Sequence, residues 1–548
     1  MNPLIFLGIG YMILIGGHHS LKGPVQSLAP PKPDDPTPAY TYNDGIDYVP
    51  SDRQVVLGHY FMSIAGLSPV LSAIAGMHWG WLPVLIWMLV GVHWLGAFTE
   101  YMHLIISVRN KAKNIGSVVV DKIGKATGTY LNIILIFFCV LTYAIFAHTI
   151  STTLEDTPTA VIPTLVLIPL AILFGYMRFK MGAPLTLSSL VFVVIWGFFI
   201  YLGQIVPILL PWTTWLVVFA AYTFFACSLP VWVLLQPRDY LNTAILVVGI
   251  AVGTLALFVG LPSFEMPAFA GWETPQGVLY PSIFLTVTCG AVAATHALIS
   301  MGTTSKQVSN EKDSYWITSL GTKGETVIAL VAIALVASFY TYDGFIADVA
   351  TAPGPAFSSA YAEAVTFIGL PAGVGAAFGA LILSAFVMTT MDSYARAGRY
   401  LLEEVSRDFP TLKQFKLDNH WVTGFLIAVA GYFVAMFTPF MAMWAGFVAM
   451  NLFVIVYSYM MITVYLGEQG NPIDARLIFW VVIPGVFMTV TTIYALVYHT
   501  YLYYVGAEWA GLVIILACLI LLVLALFQFI PKLMDYNNLQ QKYAEKHN

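Results

Sequence analysis

Five titratable side chains stand inside stretches too apolar to solvate them: His59, Glu100, His103, His296 and Asp392. An acid in a bilayer core costs about 2.5 to 3.5 kcal/mol on the insertion scale, so each such residue asks for a reason. Glu100 and His103 are three positions apart and share a helical face. A carboxylate beside an imidazole can relay a proton near neutral pH; the same pair can also be a hydrogen-bonded joint between helices, and both readings stand at this point. His59, His296 and Asp392 fall in the same half of their spans, where they could converge with Glu100 on one inner vestibule as the proton-coupling set. Ser300 follows His296 by one turn, and Thr303 and Thr304 come next. That polar face on an apolar helix suits a cavity lining or, alternatively, a sodium site built with exposed carbonyls. Asp392 and Arg396, four residues apart, read as a surface ion pair.

Two helix-breaking runs could hold a substrate: Gly66-Leu67-Ser68-Pro69 and Ser228-Leu229-Pro230. An unwound segment frees backbone amides and carbonyls, and a half-helix amino end offers partial positive charge to an anion. Tyr143 and Trp232 are candidate walls for such a pocket, although either ring can equally be packing. No tight metal-ligand motif such as HExxH occurs, so no metal or cofactor is expected. Eleven histidines leave a membrane-embedded redox subunit as a rival from another class, with His93, His148 and His499 as further haem-ligand candidates.

The elements that must position these groups are helices. A chain of 548 residues that is 59% hydrophobic and 9% charged is an all-α polytopic membrane protein. Fifteen apolar spans can be counted, each near the roughly 20 residues that cross a bilayer. Spans 2 to 11 divide into two groups of five, 55–206 and 211–405, and an odd number per group inverts one half against the other, as in a 5+5 inverted repeat. The first span with a proline-rich tether, 1–54, precedes them, and a four-helix accessory region, 420–548, follows. The first span lacks a basic n-region and a cleavage signal and is expected to stay as a helix.

With the N-terminus outside and the C-terminus cytoplasmic, all 23 lysines and arginines fall on the cytoplasmic side. No cation is then left for the interior, and an anionic substrate would be met by broken-helix ends and titratable His or Glu groups. Cys139, Cys227, Cys289 and Cys518 all fall in spans, which argues against a disulfide framework. A net charge of −5 gives no support for nucleic-acid binding, and without a phosphate-binding glycine loop the drive is an ion gradient rather than ATP.

Four stretches carry a family resemblance: NDGIDYVPSDRQVVLGHYFMSIAG (43–66), LPVWVLLQPRDYL (229–241), THALISMGTTSKQ (295–307) and TTMDSYARAGRYLLEE (389–404). Together, in this order, they resemble the carbon starvation protein A (CstA) family. The resemblance implies a LeuT-like secondary transporter in the cytoplasmic membrane of a bacterium or archaeon, importing short peptides or pyruvate, the latter by proton symport, under nutrient limitation. By position it carries over His59, Gly66, Pro230, His296, Thr303, Thr304 and Asp392. The chain departs from the family's AGAGPIxGP-like stretch, reading AGLSPVLSA at 65–73, and has Glu100 where the family usually has aspartate. The expectation is a transporter, not an enzyme, for a small carboxylate-bearing solute and protons, with peptide or pyruvate left open and oligomeric state unread.

Overall fold

A computed structural model describes residues 1–287, 294–349, 353–408 and 414–547 of the chain. Cys289 lies outside them, while Cys139, Cys227 and Cys518 are buried free thiols. The helices run α1 (Pro3–Gln26), α2 (Arg53–Ala65), α3 (Ser68–Gly76), α4 (Trp81–Arg109), α5 (Lys125–Asp156), α6 (Val161–Phe179) and α7 (Leu185–Ile205). They continue as α8 (Trp212–Ser228), α9 (Leu235–Gly260), α10 (Leu279–Thr286), α11 (Ala294–Gly302), α12 (Ser314–Phe339), α13 (Pro353–Thr366) and α14 (Ala372–Asp408). Then come α15 (His420–Phe437), α16 (Phe440–Glu468), α17 (Ala475–Val505) and α18 (Trp509–Met534), followed by a short helix, Tyr536–His547. A π-helical turn, Gly91–Gly96, interrupts α4.

Twelve of the described helices are each long and apolar enough to cross a membrane, or thirteen when the bent pair α2 and α3 counts as one span. The remainder of the expected fifteen is α8, which has only 17 residues, and the stretch from 279 to 302, divided between α10 and α11 on either side of residues 288–293. The bundle has a clear inside. Of the most apolar eighteen-residue stretch in each helix, 94% is buried in α16 against 17% in α7. A helix that is apolar all round must be enclosed by protein or by lipid. The central set is α4, α5, α12, α14 and α16; α1, α7 and α18 stand at the rim.

The break between α2 and α3 has a local cause. Gly66 sits at φ 46°, ψ −154°, outside what a side chain tolerates, and Pro69 follows within the first turn of α3, where its missing N–H does no harm. The two halves bend by 42°. A Cβ on Gly66 would come within 2.7 Å of Thr390 Oγ1 on α14. We expect Gly66→Ala to destabilise the fold by about 1–2 kcal/mol from backbone strain alone, read as a lowered unfolding temperature in detergent. Thr390→Ala in the same chain should recover only the part due to the clash.

At the second expected break the chain does something else. Ser228 ends α8, Leu229 is extended as the residue before a proline must be, and a turn leads into α9. The 17 residues of α8 already rise about 25 Å at 1.5 Å each, so Ser228-Leu229-Pro230 falls between two spans rather than in the middle of one.

The packing has a pattern. α2 and α3 lie on α12 as α11 lies on α4, and α2 lies on α9 as α11 lies on α16. α5 lies on α15 as α14 lies on α8, and α9 on α14 as α16 on α5. α5 with α14, α8 with α15 and α4 with α12 are each paired directly.

Candidate functional site

A fully buried imidazole stands between two fully buried carboxylates. His296 on α11 has Nδ1 3.1 Å from Glu100 Oε1 on α4 and Nε2 3.0 Å from Glu325 Oε2 on α12. Tyr60 on α2 donates its hydroxyl to Glu100 Oε2 at 2.7 Å, and Ser300 donates to the same oxygen at 3.4 Å. Three helices therefore meet at Glu100, and α12 joins them through His296. If His296 is charged, two carboxylates face one cation and the cluster carries one negative charge; neutrality inside a bundle requires one more proton, shared among the three groups.

The expected partner of Glu100 was His103. Although both are buried, neither ring nitrogen of His103 has a hydrogen-bond partner among the described residues. The acid turns to another helix instead, because α11 offers both His296 and Ser300 to it.

A second cluster lies on the other side of α2. Arg238, three residues into α9 and fully buried, donates to Asp392 Oδ1 at 3.0 Å and to Asp239 Oδ1 at 2.6 Å. It also pairs with Asp392 Oδ2 and with Tyr222, whose hydroxyl donates to Asp392 at 2.7 Å. His59 Nδ1 lies 2.7 Å from Asp239 Oδ2, and Ser63 Oγ lies 2.7 Å from Ser393 Oγ on α14. The i,i+4 pairing of Asp392 with Arg396 does not form. Each residue finds a partner on another element, and both are buried rather than at a surface. The view that no cation reaches the interior is corrected too, since Arg238 and Arg396 are 0% exposed and Arg399 1%.

A third cluster clamps the loop that precedes α2. Asp47 accepts from Arg396 at 2.8 Å, from Arg399 at 2.7 Å and from the Tyr400 hydroxyl at 2.7 Å, all on α14. The Lys306 ammonium lies 3.3 Å from the Tyr400 ring centroid. Arg396 also donates to the carbonyls of Ala226 at 2.7 Å and Leu229 at 2.5 Å, which end α8, where a cation suits the negative pole of the helix. Burial alone would raise the Asp47 carboxyl, but Arg399, Arg396 and Lys306 outweigh it and hold the group well below the usual carboxylate range.

A depressed folded value means that the stabilisation is present above the unfolded value of about 3.9 and is lost only as pH falls through the folded one. The clamp should therefore hold between about pH 5 and 8, and Asp47→Asn should loosen it at any pH in that range. Protease cleavage of the 27–52 segment is the measurement, fast in the variant and flat with pH in the wild type.

The other expected residues are spread out. Leu67 and Ser68 are buried at the break, α3 begins with no side-chain cap, and Thr390 Oγ1, without a hydrogen-bond partner among the described residues, faces Gly66. Thr303 donates to the Ile299 carbonyl of its own helix at 3.1 Å; Thr304 opens a short turn whose next residue, Ser305, bonds Ser107 at 2.9 Å near the end of α4. Tyr143 packs its ring on Gly431 of α15. The Trp232 indole donates to the Gly45 carbonyl at 3.3 Å beneath the Lys180 ammonium. The atoms nearest a Cβ at Gly66 belong to Thr390 instead. His93 bonds the Leu89 carbonyl at 2.7 Å, while His148 and His499 pack against aromatic rings on separate helices. Sequence reasoning missed Tyr60, Glu325, Arg238, Asp239 and Asp47. Of these, Asp47, Tyr60, Arg238 and Asp239 lie in the quoted motifs, Tyr60 directly beside His59, and Glu325 lies outside them.

The chain is 33% identical over 312 residues to the peptide transporter CstA of Campylobacter jejuni, covering 54% of this chain and 44% of that protein. It is 33% identical over 312 residues to the pyruvate/proton symporter BtsT of Escherichia coli, covering 54% and 43%. The chain thus spans less than half the length of these relatives, but 73% of the Bacillus subtilis peptide transporter CstA, at 27% identity over 72% of this chain. Among solved structures, a manganese transporter of Eremococcus coleocola superposes with a TM-score of 0.48 at 11% identity, covering 89% of this chain and 99% of that one. MhsT in complex with L-phenylalanine gives 0.46 at 14% identity, covering 88% and 99%. The profile described as carbon starvation protein CstA matches residues 25–354 and 343–495, and the chain belongs to that family.

Proposed function

We propose that the protein is a proton-coupled importer of a small carboxylate-bearing nutrient, a short peptide or pyruvate, working under carbon limitation in a cytoplasmic membrane with its N-terminus outside. The observation that carries the coupling is His296 held between Glu100 and Glu325, with Tyr60 tying that cluster to the broken helix. A buried acid–imidazole–acid array that needs one exchangeable proton for neutrality is a proton site by charge count. The substrate site is the break itself: the uncapped first turn of α3 offers N–H groups and partial positive charge to a carboxylate, with Thr390 opposite.

The packing pattern supports an inverted repeat whose halves differ from the sequence-based division. We take α2–α3, α4, α5, α8 and α9 as one half and α10–α11, α12, α14, α15 and α16 as the other, because the inter-helix pairings described above then each have their counterpart in the other half. α6 and α7 become an insertion, and the counterpart of the pair α2 and α3 is the pair α10 and α11. Alternating access is then a rocking of α2 about Gly66.

Proteoliposomes loaded at fixed voltage and offered pyruvate, amino acids and di- or tripeptides, with and without an inward proton gradient and with sodium replaced, decide substrate and ion together. Uptake that follows the proton gradient for one carboxylate class is the expected result. Sodium-dependent uptake indifferent to pH would overturn it.

A further inference from the structure

A cleft of about 750 Å³ opens sideways between α1, α2, α9 and α12. Tyr11 and Ile15 form its α1 wall, Leu57 and Phe61 its α2 wall, Ala251 lies on the α9 wall and Gly324 on the α12 wall. The three wall hydroxyls already have partners: Thr243 donates to the Asp239 carbonyl at 2.9 Å, and those of Thr254 and Tyr11 lie 3.4 Å from each other. A wall with its polar atoms satisfied invites hydrocarbon. The α9 lining runs from Thr243 to Phe258, roughly 22 Å at 1.5 Å per residue. That exceeds the half-thickness of a bilayer core, about 15 Å, and so accommodates one acyl chain at full extension.

The helical period says what lies at the mouth. On α1 the stripe Tyr11-Ile15 continues at the same spacing to His19 and Lys22, both exposed. On α2 the stripe Phe61-Leu57 continues back to Arg53, whose side chain is 51% exposed although 3.7 Å from Asp313. On α12 the stripe Gly324-Leu320 continues back to Trp316, over whose ring the Arg53 guanidinium sits at 4.9 Å. Three of the walls therefore end, at the same end of the bundle, in two cations, an imidazole and an indole. That is the set that meets a phosphate at a membrane interface.

We propose that this cleft is a binding site for an anionic phospholipid, its acyl chain between α1 and α9 and its phosphate at Lys22 and Arg53. Since Leu57 and Phe61 belong to the half-helix that ends at Gly66, the bound lipid bears on that half-helix and favours the position seen here.

The purified full chain, exchanged into nanodiscs of phosphatidylcholine with or without phosphatidylglycerol, is assayed by native mass spectrometry for retained lipid. The wild type should keep phosphatidylglycerol in preference to phosphatidylcholine. Lys22→Gln and Arg53→Gln should each weaken that preference roughly fivefold. Ala251→Trp, which fills the cleft, should lose the retained lipid. Val247→Trp, placed at an exposed lining position, blocks the mouth without entering the core and serves if the first variant does not fold. Equal retention of both lipids by the wild type, retention unchanged in the filled variants, or a dimer of this chain in place of bound lipid would each overturn the assignment.

Discussion

Glu100→Gln should bring proton-driven uptake to background while leaving substrate-for-substrate counterflow close to the wild-type rate. Glutamine keeps an oxygen that can accept from Tyr60 and adds no volume, so the four-helix junction stays assembled. What changes is charge. With one acid removed, His296 and Glu325 form a one-to-one pair that is neutral without an additional proton. The cluster then has nothing to exchange with the gradient, whereas the break at Gly66 and the amino end of α3 are untouched. Glu325→Gln should behave alike, and His296→Ala differently: it leaves two carboxylates facing each other across a void and should damage folding as well. Gradient-driven uptake that survives Glu100→Gln would sink the assignment of this cluster to coupling.

Arg238→Ala should be the most destabilising single change in the bundle. It strands Asp392 and Asp239 with no cation between them, and removing one partner of a buried ionic group costs about 3–5 kcal/mol. A Leu pair at 238 and 392 should lose much less, because a buried pair replaced by apolar groups is often close to neutral. Unfolding temperatures of the two single variants and the double variant in one detergent give the coupling directly. Additive losses would show that the pair is not the source of the effect. Arg238→Lys should recover only part, since an ammonium cannot reproduce a planar fork held by two acids and a phenol.

The helical class, the apolar spans and the break at Gly66-Pro69 were all legible, since each is written locally as hydropathy or as a Gly and Pro signal. The ionic clusters were not. Counting basic residues toward one side assigns Arg238 and Arg396 to loops, because each lies near the end of an apolar run. Their burial follows from neighbours far along the chain, Asp392 for the first and Asp47 for the second, 154 and 349 residues away. Glu325 was hidden for a similar reason: it sits at the edge of its span beside Lys323, and only the packing of both α11 and α12 on α4 brings it to His296. The second break was misread because Ser228-Leu229-Pro230 has the composition of a mid-span interruption, and composition alone does not say where along the membrane normal a run falls.

His59 and Tyr60 are neighbours in sequence, yet one reaches Asp239 and the other Glu100. Adjacent side chains on a helix diverge by about 100°, so any spin of α2 about its own axis that shortened one contact would stretch the other. A swing of the segment about Gly66 along the bisector of that angle, away from both partners, instead loosens both at once. The half-helix is thus geared to pivot and not to screw, and the two acid clusters answer to a single lever.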